Sequence, residues 1–80
     1  MFLKHGIMKR FLIELYVIDG LGGYHLEESH RYDVNAKNQY LAQKRREGYK
    51  WDRAKKEYLK EPEPCESVYG YSICVTSYFI

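Results

Sequence analysis

The sequence predicts a small α+β domain with the element order ββαβ. Two alternating runs flank a glycine-rich turn near the start, a polar stretch with helical spacing fills the middle, and a third alternating run closes the chain.

The first run extends from Ile7 to Ile18. Ile7, Phe11, Ile13, Leu15 and Val17 share one face, interrupted by Lys9, and the other face carries Met8, Arg10, Leu12, Glu14, Tyr16 and Ile18. One apolar face backed by a half-apolar one is the pattern of a central strand. Asp19-Gly20-Leu21-Gly22-Gly23 then supplies turn residues, and Tyr24 to Tyr32 resumes extended structure with Tyr24, Leu26 and Tyr32 on one side, completing a hairpin. Asp33 or Asn35 can cap the helix that follows, predicted from Ala36 to Glu47, with Gly48 as its terminator. A second helical segment is expected over Asp52 to Lys60. The alternative is one continuous helix, since Ala36, Tyr40, Trp51, Ala54 and Tyr58 fall within about 60° of one another at helical spacing. The cost of an interior glycine, about 1 kcal/mol, favours the broken version.

Glu61-Pro62-Glu63-Pro64-Cys65 reads as a stiff connector. From Glu66 to Ile80 alternation returns, with Tyr69, Tyr71, Ile73, Val75 and Phe79 on one face and Gly70, Ser72, Cys74 and Thr76 on the other. The expected sheet has three strands in the order 2-1-3, mainly antiparallel, with the helical region covering one face through Ala36, Tyr40, Leu41, Trp51 and Tyr58. The opposite face keeps Leu12, Tyr16, Ile18, Val68 and Tyr78, an apolar remainder that suits a partner, a second copy in a homodimer, or a cover formed by Phe2 and Leu3.

Eighty residues form one domain, residues 1–80, near the lower limit for folding without metal or disulfide, with residues 1–6 expected to be loose. With 45% hydrophobic and 30% charged residues and only two prolines, the composition excludes wholesale disorder. No signal peptide or membrane-spanning run is legible; Phe11 to Ile18 is short and broken by Glu14, and Met8 is an alternative start. The two cysteines, Cys65 and Cys74, would lie in one strand, roughly 30 Å apart by strand rise and on opposite faces. They are expected to remain free thiols in a cytoplasmic protein.

No catalytic constellation emerges. His25, Glu27, Glu28, His30 and Asp33 cluster, but on an uninterrupted strand His25 and His30 point to opposite faces, so no metal is expected. Neither cysteine has a histidine close in sequence, and the glycines sit between strands instead of opening a helix, so no nucleotide or other cofactor is expected. Charge is the most informative feature. Residues 37–60 hold nine basic residues against three acidic ones, a local +6 that leaves −4 on the rest of a chain whose formal net charge is +2. Lys44, Arg45, Arg46, Lys50, Arg53, Lys55 and Lys56, interleaved with Tyr49 and Trp51, form the candidate partner-binding set, with Leu12, Tyr16 and Ile18 as a second surface.

These features point to a non-enzymatic protein that binds and modulates, as an inhibitor or adaptor, a larger protein or protein–nucleic-acid complex. That is the style of small accessory proteins that phages and mobile elements encode. The alternative is direct nucleic-acid binding by the basic face. A third reading is a small basic ribonuclease with His25, His30 or a tyrosine as acid or base.

Overall fold

The computed structural model describes residues 8–80. Its elements are β1 (Lys9–Ile18), β2 (Tyr24–Tyr32), α1 (Val34–Arg46), β3 (Lys50–Asp52), β4 (Glu57–Lys60) and β5 (Gly70–Phe79). The expectations for Phe2, Leu3, Ile7 and a loose stretch 1–6 lie outside the described residues.

The domain is α+β with one helix and an antiparallel sheet, but the sheet has five strands in the order β2-β1-β5-β4-β3. The expected three-stranded 2-1-3 arrangement holds at its centre, where β1 lies between β2 and the last strand. The correction lies in residues 52–60, expected from sequence to be helical; with Lys50 and Trp51 they form a two-stranded hairpin. Trp51 and Tyr58 are seven residues apart, which places them on one face of a helix and equally opposite each other across a four-residue turn. They are register partners on β3 and β4, with ring centroids 4.9 Å apart in an edge arrangement. Asp52 does act as a cap, its carboxylate accepting from the N–H groups of Ala54 and Lys55 at 2.9 and 3.2 Å. The helical path ends after that single turn because Lys56 adopts φ +57°, and its N–H closes on Asp52 O at 2.7 Å.

The helix is α1 alone. Asp33 Oδ1 accepts from the Ala36 N–H at 2.8 Å, which starts it two residues before the expected position. Gly48, at φ +113°, ends it. Tyr49 N–H reaches back to Lys44 O and Gly48 N–H to Arg45 O, both at 3.1 Å, the paired bonds of a left-handed helix terminus. Tyr49 is thereby drawn into the core with Ile13, Leu15, Leu41 and Ile73.

Ile13 and Ile73 are both 0% exposed on the side of the sheet that α1 covers, as the β1 alternation predicts. On β5, Tyr71, Ile73 and Val75 follow the expected face, but Phe79 is 65% exposed beyond the reach of the helix. That strand begins at Gly70 instead of Glu66, and Cys65 lies in the preceding turn. Both cysteines are free, as expected, although the reason is that turn and not opposed faces of one strand. At Gly70 a β-carbon would stand 3.1 Å from Lys60 O, so glycine permits the close β4–β5 approach there.

A register shift between Leu15 and Tyr16 makes Glu27 an extra residue in β2. This bulge switches side-chain parity, so Tyr24 and Leu26 lie with Tyr16 on the helix-free face while Tyr32 lies with Phe11 on the helix side. It also puts His25 and His30 on one side of the sheet, not on opposite sides. No helix among the described residues is long and apolar enough to cross a membrane.

Candidate functional site

The basic set is split in two by the fold. Lys44, Arg45 and Arg46 occupy the last turn of α1, where cations complement the carbonyl end of the helix. Lys44 is mostly withdrawn from solvent: its Nζ is 3.4 Å from Glu47 Oε1 and lies 5.3 Å from the Tyr40 ring centroid and 5.9 Å from that of Tyr49. Arg46 donates to Gln43 Oε1 at 2.8 Å, and Arg45 is exposed.

The second part surrounds the β3–β4 hairpin. Lys50, Arg53 and Lys55 line an open groove of about 950 Å³ together with Lys60, Trp51, Tyr69 and Tyr71. Lys44, Arg45, Arg46 and Lys56 are not in its lining. Its walls are the hairpin on one side and the 61–69 connector on the other, with Ile18, Leu59 and Gly70 at the base of the sheet. Two rings stand out into solvent here, Trp51 at 52% and Tyr69 at 71% exposure. Helical spacing puts Trp51 in a core stripe; the hairpin turns it outward.

Charge in the groove is balanced. Glu47, Asp52, Glu61 and Glu63 face the four cations in its lining. Two of the carboxylates are engaged locally: Asp52 caps its turn, and Glu47 accepts from Gln43 and Lys44. Hydrogen bonding from Gln43 is the largest influence holding the Glu47 carboxyl below its usual range. Lys60 lies over the rings of Tyr49 and Tyr71 at 5.7 and 5.6 Å. Burial pushes the Tyr49 phenol up to about 12. The connector is braced by Glu66, which accepts from Glu63 N–H at 2.8 Å and from Tyr71 OH at 2.6 Å. Lys60, Tyr69 and Tyr71 were not singled out from sequence. The signal that could have found them is the proline-bounded connector, which brings residues on both of its sides to one place.

The second surface is corrected in part. Leu12 and Tyr16 are half-buried on the helix-free side, but Ile18 is buried at the groove base. The middle of this side is also less apolar than expected. The strand registers place Glu14 and Tyr16 of β1 beside Cys74 and Ser72 of β5, with Tyr24 of β2 and Glu57 of β4 flanking them. Glu57 Oε1 accepts from Ser72 Oγ at 2.8 Å and from Tyr24 OH at 3.2 Å.

His25 and His30 are each held by their own carboxylate. His25 Nε2 lies 2.6 Å from Asp19 Oδ2, and the same aspartate accepts from the N–H groups of Leu21 and Gly23. The His25 contact, then those backbone bonds, lower the Asp19 carboxyl to about 2. His30 Nε2 is 3.1 Å from Glu28 Oε1, which also accepts from Tyr40 OH at 2.9 Å. Among the described residues no three histidine, cysteine or acidic side chains are grouped to hold a metal ion. Burial pushes the Cys74 thiol up, and the Glu57 carboxylate adds to the shift, which keeps the sulfur in its less reactive protonated form.

Comparison of the chain with protein-family models, with curated proteins and with solved structures finds no match.

Proposed function

We propose that this protein is a non-enzymatic binding module that docks on a protein partner through the hairpin groove, and so modulates the assembly to which that partner belongs. The observation that carries this reading is the pairing of exposed Trp51 and Tyr69 around a groove of balanced charge. Tryptophan, tyrosine and arginine are the residues most enriched at the energetic centres of protein interfaces. A nucleic-acid groove would instead carry an excess of cations along the backbone track. Arg53 and Lys55 at the hairpin tip, with Asp52, Glu61 and Glu63, provide a mixed polar rim.

Direct nucleic-acid binding is favoured by one observation, the exposed cations Arg45, Arg46, Arg53, Lys55 and Lys56 outside or at the edge of the groove. The test separates the two readings. Immobilised protein is exposed to an extract of its native host after nuclease digestion, alongside Trp51→Ala with Tyr69→Ala and, separately, Arg45→Ala with Arg46→Ala. A defined protein kept by the parent and lost only with the aromatic pair supports the reading. Binding of a plain single-stranded oligonucleotide with a log–log salt slope of about −0.7 per phosphate contact, weakened by the arginine pair, would replace it.

A further inference from the structure

The two edges of the sheet are unequal. β3 closes one edge with three residues, whereas β2 closes the other with nine. Natural edge strands are kept from pairing with other chains by shortness, lysine, proline or a bulge. β2 has neither lysine nor proline, and its bulge at Glu27 leaves Glu28 to Tyr32 in regular register with β1.

The ladder decides which backbone groups this edge offers. Met8 and Ile80 exchange hydrogen bonds at 3.1 and 3.0 Å. Pairing alternates along a strand, so the even-numbered residues of β1 turn their backbone groups to β5 and the odd-numbered ones turn theirs to β2. Ser29 and Arg31 sit opposite even-numbered Glu14 and Leu12, and their own N–H and C=O groups therefore point out of the sheet. The Arg31 carbonyl takes the Arg10 guanidinium at 3.2 Å. Ser29 is exposed and keeps both of its outward groups for a new strand.

We infer that β2 pairs with β2 of a second copy, antiparallel and centred on Ser29, about a two-fold axis perpendicular to the sheet. Charge selects that register. It sets Glu28 opposite His30 and Glu27 opposite Arg31, each twice by symmetry. Glu27 and Arg31 form no ion pair within their own chain among the described residues, and Glu28 already meets the His30 ring of its own strand at 3.1 Å. Centring on Glu28 instead would oppose two carboxylates and bring together backbone groups that are turned to β1. Centring on His30 would oppose Glu27 to Asp33. The chosen axis joins the two five-stranded sheets edge to edge with both α1 helices on one side. No β2 residue lines the hairpin groove, so the grooves stay open at the outer ends and either reading can fail alone.

Sedimentation velocity of the full chain, from about 1 μM to 1 mM, reads the association. A reversible rise toward twice the chain mass is expected, with concentration-dependent amide shifts at Glu27 to Arg31. Ser29→Pro removes only the outward donor, so it should abolish the dimer while the circular dichroism spectrum is kept. Arg31→Glu and, separately, Glu27→Arg each oppose like charges and should weaken association about tenfold. Mixing those two variants should restore it, because in the mixed pair every contact between positions 27 and 31 is again opposite in sign. If Ser29→Pro does not fold, the mixing experiment decides alone, since restoration requires both variants to be folded. A folded Ser29→Pro that still dimerises, charge variants that associate like the parent, or a mixture no stronger than its components would each overturn the inference. A monomer throughout the range would overturn it too, and leave the edge to a strand of another protein.

Discussion

Lys56→Gly tests the hairpin against a helix by the sign of its effect. Lys56 holds φ +57°, a left-handed conformation that costs a side-chain-bearing residue about 1–2 kcal/mol. Glycine removes that cost but loses about 0.4–1 kcal/mol through the larger freedom of its unfolded chain. The net expectation is a gain of about 0.5–1 kcal/mol, or roughly 2–8 °C in melting temperature for a domain of this size. On a helix over Asp52 to Lys60 the same change would lose about 1 kcal/mol. Lys56→Ala isolates the cause, since alanine keeps the left-handed penalty and should leave stability within about 0.5 kcal/mol of the parent. Urea denaturation followed by circular dichroism measures all three proteins with a common slope. A Lys56→Gly variant destabilised by about 1 kcal/mol would refute both the turn geometry and the β3–β4 pairing that depends on it.

Gly48→Ala should lose at least about 1–2 kcal/mol in the same assay, because φ +113° at the end of α1 suits glycine; an unchanged midpoint would remove the left-handed terminus from the account. Alkylation of the native protein should modify exposed Cys65 well before half-buried Cys74, whose thiol is pushed up; peptide mass spectrometry over a time course reads the order, and equal rates would contradict the burial. The Asp19 carboxyl is lowered to about 2, so its hold on the β1–β2 turn is complete above the ordinary value of 3.8 and is lost as pH falls through about 2. The Leu21 and Gly23 amide resonances should therefore titrate near 2, and His25→Ala should move that midpoint upward.

The parts of the fold legible in the sequence are those whose period has one reading. Strand β1 alternates over ten residues, and the face carrying Ile13 and Leu15 is the face that α1 buries. The Asp33 cap and the Gly48 terminator each follow from a backbone requirement that few residues meet. The hairpin was hidden because Trp51, Ala54 and Tyr58 satisfy helical spacing, while β3 and β4, at three and four residues, are too short to show alternation. The β2 bulge was hidden for a different reason: nothing in Glu27-Glu28 marks which of them is extra. The candidate cations were readable as a composition. Their division between the α1 terminus and the groove depends on the hairpin, and so was not. The grouping of Glu14, Tyr24, Glu57 and Ser72 joins four strands and has no local signature at all.

The pairing of β1 with β5 has a consequence for biosynthesis. The backbone of Met8 exchanges hydrogen bonds with that of Ile80, and Ile13 finds its β5 neighbour only in Val75. Ribosomes add about 5–20 residues per second, so several seconds separate the emergence of β1 from that of β5. Throughout that interval the β1 edge that β5 later covers is unpaired, with Leu15 and Ile13 beside it, a surface that other extended chains can join. The nascent protein is thus exposed to mispairing until its last ten described strand residues leave the exit tunnel. Yield in the cell should then depend on how quickly the codons between β1 and β5 are read as much as on the stability of the finished sheet.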